Sequence, residues 1–271
     1  MEFILQSAAV THQGRVRKHN EDSVFAFVRD PSKGEPLGIL IVADGVGGQK
    51  AGDIASQIAV QTVFEHMSWF MDQDAEDDTR PNANPQTQTD GESPIETRLR
   101  IAIQAANKKI LAYAHDNPIQ AGNMGTTLTC ALIHGDNLTI AHIGDSRGYR
   151  LRDGELEQLT EDHSFVGQMV RDGQLTDEAY YVHPRRNVIT RALGQFDDAE
   201  VDVWTIPIEP EDELLLCSDG MWEMVRNPEI RSRLSEQEDL ETAAEELIQL
   251  ANENGGSDNI SVVLGKLTKK G

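Results

Sequence analysis

Residues 39–48 read ILIVADGVGG, and the chain is best understood outward from them. The five residues before the aspartate are apolar, and three of them are β-branched. A strand of that kind has no polar side, so both of its faces are expected to be covered. The run stops on Asp44, with Gly45 next in line. Other apolar runs carry the same punctuation. TIAHIGD ends on Asp145, LLLCSD ends on Asp219, and Asp258-Asn259 opens ISVVL. One aspartate at a strand end is ordinary turn chemistry. Four of them ask for more, because neighbouring strands lie only about 4.8 Å apart. Carboxylates crowded at that spacing repel unless they take up protons or bind a cation. An all-oxygen set selects a hard ion such as Mg²⁺ or Mn²⁺. No thiolate pair or His-x-His pattern competes for zinc.

Strand character covers 38–43, 127–133, 138–143, 213–217 and 260–264. The runs at 147–151 and 156–160 flank Asp153-Gly154, a hairpin signal. Helical spacing joins Ile54, Ile58, Val63, Met67 and Phe70. It joins Leu99, Ile103, Ala106, Ile110 and Ala114, and again Leu240, Ala244, Leu247 and Ala251. Strands, two helices, more strands, a late helix and a last strand do not alternate as βαβα. The order predicts an α+β fold with antiparallel sheets. We expect one domain over 1–271. Residues 72–94 hold seven acids, one base and three prolines, which predicts a flexible acidic loop inside that domain. That stretch is not an EF-hand, since Asp77 and Ala83 stand where Gly and Glu belong.

With 271 residues and 38% hydrophobic content the chain can bury a substantial core. A net charge of -22 disfavours nucleic acid and anionic membrane as partners. No apolar stretch reaches the length of a membrane span, and the N-terminal residues have no basic flank. Cys130 and Cys217 sit within apolar runs and read as buried free thiols in a reducing compartment, so a cytoplasmic location is expected.

Arg17 lies four residues before Glu21 in RKHNED. A guanidinium beside bound cations makes a bidentate seat for a tetrahedral anion. Cations plus arginine suit transfer of a phosphoryl group to water. The glycines after Asp44 permit a sharp turn and close approach of a carbonyl to an ion.

The ordered set GRVRKHNED (14–22), VADGVGG (42–48), GTTLTCALI (125–133), HIGDSRGYRL (142–151), TEDHS (160–164), ITRALG (189–194), LLLCSDGMWE (214–223) and GGSDNISVVL (255–264) resembles the PP2C (PPM) family of metal-dependent Ser/Thr protein phosphatases, most closely its short bacterial members. The resemblance implies an α-β-β-α sandwich of two packed antiparallel sheets. It implies that Arg17 binds substrate phosphate and that Asp44 bridges two metals, with the Gly45 carbonyl on one. It puts Asp219 and Asp258 on the first metal and Glu21 on the second, with Asp22 in an outer position. Asp145, with Asp219, would hold a third ion. The cofactors implied are two or three Mg²⁺ or Mn²⁺ ions, and the mechanism is in-line attack by a metal-bridging hydroxide. Substrates would be phosphoserine and phosphothreonine proteins, with a cognate Ser/Thr kinase among them. Val46 stands where animal members carry a histidine, so no general acid is named. Residues 166–186, with His183, Arg185 and Arg186, correspond to a variable flap beside the site.

Three other readings compete. Gly144-Asp145-Ser146-Arg147-Gly148 fits G-x-S-x-G, but a hairpin follows where a hydrolase elbow needs a helix. A non-catalytic relative would keep the fold and lose the acids. A phosphatase of small phosphate esters would keep both.

Overall fold

The computed structural model describes residues 3–30, 32, 34–47, 51–72 and 91–269. Of the acidic loop predicted at 72–94, residues 73–90 lie outside that set.

Two antiparallel sheets form the centre. The first is ordered β1 (Phe3–His12), β11 (Ile260–Lys269), β10 (Glu213–Cys217), β7 (Arg147–Arg152) and β8 (Glu155–Gln158). The second runs β2 (Asp22–Val28), β3 (Leu37–Val46), β5 (Leu128–His134), β6 (Asn137–Ile143) and β9 (Asp202–Pro207), with the short β4 (Gly125–Thr126) beside β3. All five predicted strand regions and the hairpin are present. The hairpin turn takes positive φ at both Asp153 (51°) and Gly154 (77°), as a two-residue turn between twisted strands requires. β1, β2, β9 and the short β4 add four strands to those expected.

The absence of a polar face in β3 has a direct cause. Leu40 and Val42 point between the sheets and join Leu214, Leu216, Val263 and Leu267. Ile39, Ile41 and Ala43 point the other way, under α1 (Gly52–Asp72) and α2 (Pro94–Asp116). α1 meets them with Ala55, Ala59, Val63, Met67 and Met71, a stripe of period four that leaves its other side to water. α2 answers with Leu99, Ile103, Ala106 and Ile110. Its start is set by Pro94 and a reciprocal capping box between Ser93 and Glu96.

On the outer face of the first sheet, α8 (Leu240–Glu253) lays Ala243, Ala244, Leu247 and Ala251 against Val262 and Leu264. α7 (Asn227–Glu236) packs beside it through Ile230 and Leu234. The layering is therefore helix, sheet, sheet, helix. The short helices α3 (Pro118–Ala121), α4 (Phe165–Arg171), α5 (Asp177–Tyr180) and α6 (Asp219–Trp222) sit in the connections. The 166–186 stretch thus has structure of its own: Val166 and Tyr180 are buried, and Tyr180 meets the Trp222 ring edge-on at 5.6 Å.

Candidate active site

The aspartates that punctuate the strands do meet, but not along one sheet. β3 and β6 are separated by β5, while β10 and β11 belong to the opposite sheet. The acids crowd because the two sheets bring the same ends together across the sandwich. Arg17, Glu21, Asp44, Gly45, Asp145, Asp219 and Asp258 all line one open cavity of about 330 Å³. Val46, Gly47, Asn123, Asn187, Ile189 and Gln195 complete its wall, and Asn123, Asn187 and Gln195 were not anticipated from sequence.

Each acid is held by its backbone. The Asp44 N–H donates to Thr127 Oγ1 (3.0 Å), and its carbonyl accepts from Thr126 Oγ1 and the Thr127 N–H, both at 2.9 Å. Gly45 is a glycine for want of room: a Cβ would lie 2.3 Å from Gly52 O and 2.5 Å from Glu21 O. Its N–H donates to Glu21 O at 3.2 Å, which ties the two acid-bearing segments together. Asn259 is the other tie. Its Oδ1 accepts from the Glu21 N–H at 2.8 Å, and its Nδ2 donates to the carbonyls of Gln13 and His19 at 2.9 Å each. The residue beside Asp258 therefore clamps the whole loop that carries Arg17 and Glu21. Arg17 is half exposed at the rim and donates from Nη2 to Asp258 Oδ2 at 2.6 Å.

Asp22 takes a different place. It is buried, pairs with Asp44 across the β2–β3 ladder, and accepts from Ser218 Oγ (2.7 Å) and Ser261 Oγ (2.6 Å). It backs Asp44 and does not line the cavity.

Burial first, and then mutual repulsion, raise the proton affinity of these groups. Asp44 and Asp219 are pushed well above the usual carboxylate range, Asp44 chiefly by burial and then by Asp22, Asp219, Asp145 and Asp258. Burial lifts Asp145 to about 7 and Asp22 to about 6. Among the described residues no three His, Cys, Asp or Glu side chains are gathered tightly enough to enclose an ion unaided. The donors nonetheless suit a hard cation, which takes six or more oxygens, some from water and main-chain carbonyls. Asp219 Oδ1 is buried with no hydrogen-bond partner, and a cation would relieve both that and the repulsion.

Ser146, the elbow candidate, is buried with its Oγ 2.8 Å from Thr127 Oγ1, and β7 follows it at once. It has no exposed nucleophile geometry. Arg147 is buried in a bidentate pair with Asp162 and lies 3.5 Å over the Trp222 ring. Trp222 in turn donates from Nε1 to Asp145 O at 3.0 Å.

Beneath Asp145, His142 is fully buried, with Nδ1 2.9 Å from Thr129 Oγ1 and Nε2 3.1 Å from Glu161 O. Burial lowers its pKa to about 4. Folding thus favours the neutral ring. Its contribution is complete above the ordinary value of 6.5 and is lost as pH falls from there towards 4, a total of about 3 kcal/mol. The measurement is an imidazole NMR titration, in which the His142 ring is expected to stay neutral at pH 5.

The profile of the family described as Protein phosphatase 2C matches residues 11–265. The chain is 41% identical over 263 residues to the serine/threonine phosphatase stp of Listeria monocytogenes, covering 96% of both chains. The crystal structure of the Mycobacterium tuberculosis serine/threonine phosphatase PstP/Ppp superposes with a TM-score of 0.80 at 36% identity, covering 98% of this chain and 100% of that one. The catalytic domain of PstP in complex with two manganese ions superposes at 0.78, with 34% identity over 98% of this chain and 100% of that one.

Proposed function

We propose, for a chain that belongs to the protein phosphatase 2C family and is a metal-dependent protein serine/threonine phosphatase, that Asp44, Asp219 and Asp258 hold its divalent cations and that Arg17 binds the substrate phosphate. The observation that carries the reading is the convergence of five carboxylates and one arginine on a single cavity. Asp44 would be shared between ions, and the Gly45 carbonyl, Asp219 and Asp258 would serve the first. Glu21 serves the second. Asp22 acts from behind, holding Asp44 in place with the help of Ser218 and Ser261. Asp145 would join Asp219 on a third. We take the ions to be Mn²⁺ or Mg²⁺.

Bound divalent cations activate water for attack on phosphorus and neutralise charge on the phosphoryl oxygens. The protein supplies the rest. Arg17 is anchored through one nitrogen to Asp258 and has further N–H groups to offer a phosphoryl oxygen. Asn123, Asn187 and Gln195 offer amides along the wall. Val46 cannot donate a proton, so the departing serine or threonine oxygen takes its proton from water or from another group.

Phosphorylated proteins are the substrates. A Ser/Thr kinase in the same cell is the partner we propose, since such a reaction must supply the phosphoresidues. No helix of the described residues is long and apolar enough to cross a membrane. The cytoplasm is the proposed compartment, supported by the unpaired, buried Cys130 and Cys217.

The test is hydrolysis of a phosphothreonine peptide with Mn²⁺ and with EDTA, and of free phosphothreonine under the same conditions. Turnover of the peptide is expected with Mn²⁺ alone. Undiminished turnover in EDTA overturns the metal assignment, and equal rates on the free amino acid overturn the preference for protein.

A further inference from the structure

We infer that His163 and Asp202 form a positioning pair for the metal site, fixing the backbone turn that carries Asp145. The inference rests on the reading of Asp145 as a ligand. Gly144 precedes Asp145 with φ of 114°, a conformation open to glycine and strained for other residues. Its Cα is packed against Thr127, whose Cβ would lie 2.5 Å from an added methyl. A glycine turn has little stiffness of its own, so its geometry must be imposed by neighbours.

His163 imposes it twice. The Gly144 N–H donates to His163 Nδ1 at 3.2 Å, and the His163 N–H donates to Gly144 O at 2.7 Å. On the far side of the ring, Nε2 lies 2.8 Å from Asp202 Oδ2. A neutral imidazole that accepts at Nδ1 carries its proton on Nε2, so Nε2–H donates to Asp202. Arg191 Nη1 lies 3.3 Å from both Asp202 Oδ1 and His163 Nε2, and with Nε2 protonated it donates to Oδ1. The carboxylate selects the tautomer, the tautomer leaves Nδ1 free to accept, and Nδ1 fixes Gly144. Such an outer partner orients a ligand without touching the ion.

The same residue reaches the cavity wall. The His163 carbonyl accepts from the Thr190 N–H at 2.7 Å, next to Ile189. His163 itself is only 4% exposed and does not line the cavity, so it acts through the backbone. The downstream side of the turn is pinned separately by Trp222 on Asp145 O. Asp145 is thereby held on both sides of its Cα.

The experiment is calorimetric Mn²⁺ titration of the full chain for the parent and for D145N, H163F, H163N and D202N. Phosphopeptide hydrolysis against Mn²⁺ concentration and the unfolding midpoint are measured alongside. D145N is expected to lose one class of Mn²⁺ site. H163F is expected to weaken that same class by roughly tenfold or more. H163N, whose Oδ1 can still accept from the Gly144 N–H, should stay near the parent, and D202N should fall between. A histidine that only stabilised the fold would lower the H163F midpoint and leave the titration of the folded protein unchanged, which overturns the pair. If D145N titrates like the parent, the reading of Asp145 fails and the pair's role fails with it. If H163F does not fold, D202N decides: an unchanged titration overturns the proposal and a weakened one supports it.

Discussion

Asp44→Asn and Asp219→Asn are each expected to lower Mn²⁺-supported phosphopeptide hydrolysis by about a hundredfold or more, while leaving the chelated protein at least as stable as the parent. The two effects share a cause. The acids are packed where burial and neighbouring carboxylates disfavour their charged forms. Replacing one by an amide removes a proposed ligand and also removes a source of repulsion. A site assembled for stability would respond the other way, losing stability with activity.

The pH dependence has the same origin. Asp145 at about 7 and Asp22 at about 6 bind protons more tightly in the folded chain than in the unfolded one. Stability from these groups is therefore complete below the ordinary carboxylate value and is lost as pH rises through 6 to 7. In EDTA the parent is expected to unfold at a lower temperature at pH 8 than at pH 6. Asp44→Asn should flatten that difference. His142 acts in the opposite direction, lowering stability as pH falls below its ordinary value, but it is present in both proteins and cancels when variant is compared with parent. Thermal melts of parent and variant at the two pH values, with and without Mn²⁺, check the prediction. A variant that melts well below the parent in EDTA overturns the account of strained acids.

The second large effect is expected at Arg147. Arg147→Leu should cost about 3–5 kcal/mol, because it leaves Asp162 buried and unpaired. Arg147 donates from Nε to Asp162 Oδ1 (2.9 Å), from Nη2 to Oδ2 (2.7 Å) and from Nη1 to the Tyr149 hydroxyl (3.2 Å). Arg147 and Asp162 are 6% and 4% exposed, so little solvent is available to replace those bonds. Lysine keeps the charge but loses the fork and the stacking on Trp222, and Arg147→Lys should fall between. Arg147→Leu with Asp162→Leu should recover part of the loss, since it removes the unpaired buried charge and leaves only the Tyr149 hydroxyl without its partner. Urea midpoints at constant slope measure this. Activity should fall as well, because Trp222 under the guanidinium carries the hydrogen bond to Asp145.

How much of this was legible beforehand varies by element. β3 declared itself because it is covered on both sides, and a strand covered on both sides has no polar residues to disguise it. α1 and α8 declared themselves through a stripe at helical spacing. β1 did not: only Leu5 of its residues is buried, since it is the edge strand of its sheet. β2 did not either, as partly buried residues on both of its faces blur any alternation. The flap segment was assigned no secondary structure, although α4 and α5 each begin with a side-chain cap, Ser164 and Thr176.

The site divides in the same way. Asp44, Asp145, Asp219 and Asp258 were visible because an acid at the end of an apolar run stands out, and Arg17 because it lies four residues before Glu21. Asn259 could not be ranked, since its work is done on main-chain groups of Gln13, His19 and Glu21 more than two hundred residues away. His163 and Asp202 have no sequence signal that links them. They are partners only because the segment after β8 folds back against the start of β9.

The sequence alone determined which side chains are acidic, which strands are fully covered and which helices have one apolar side, because those properties are local and periodic. Tertiary structure decided that the acids of two separate sheets share a cavity, that Asp22 stands behind it, and that a histidine and an asparagine brace its loops. The physical reason is that a hydrogen bond or a like-charge contact depends on distance in space, and in this chain the closest neighbours of the site are far apart along the backbone.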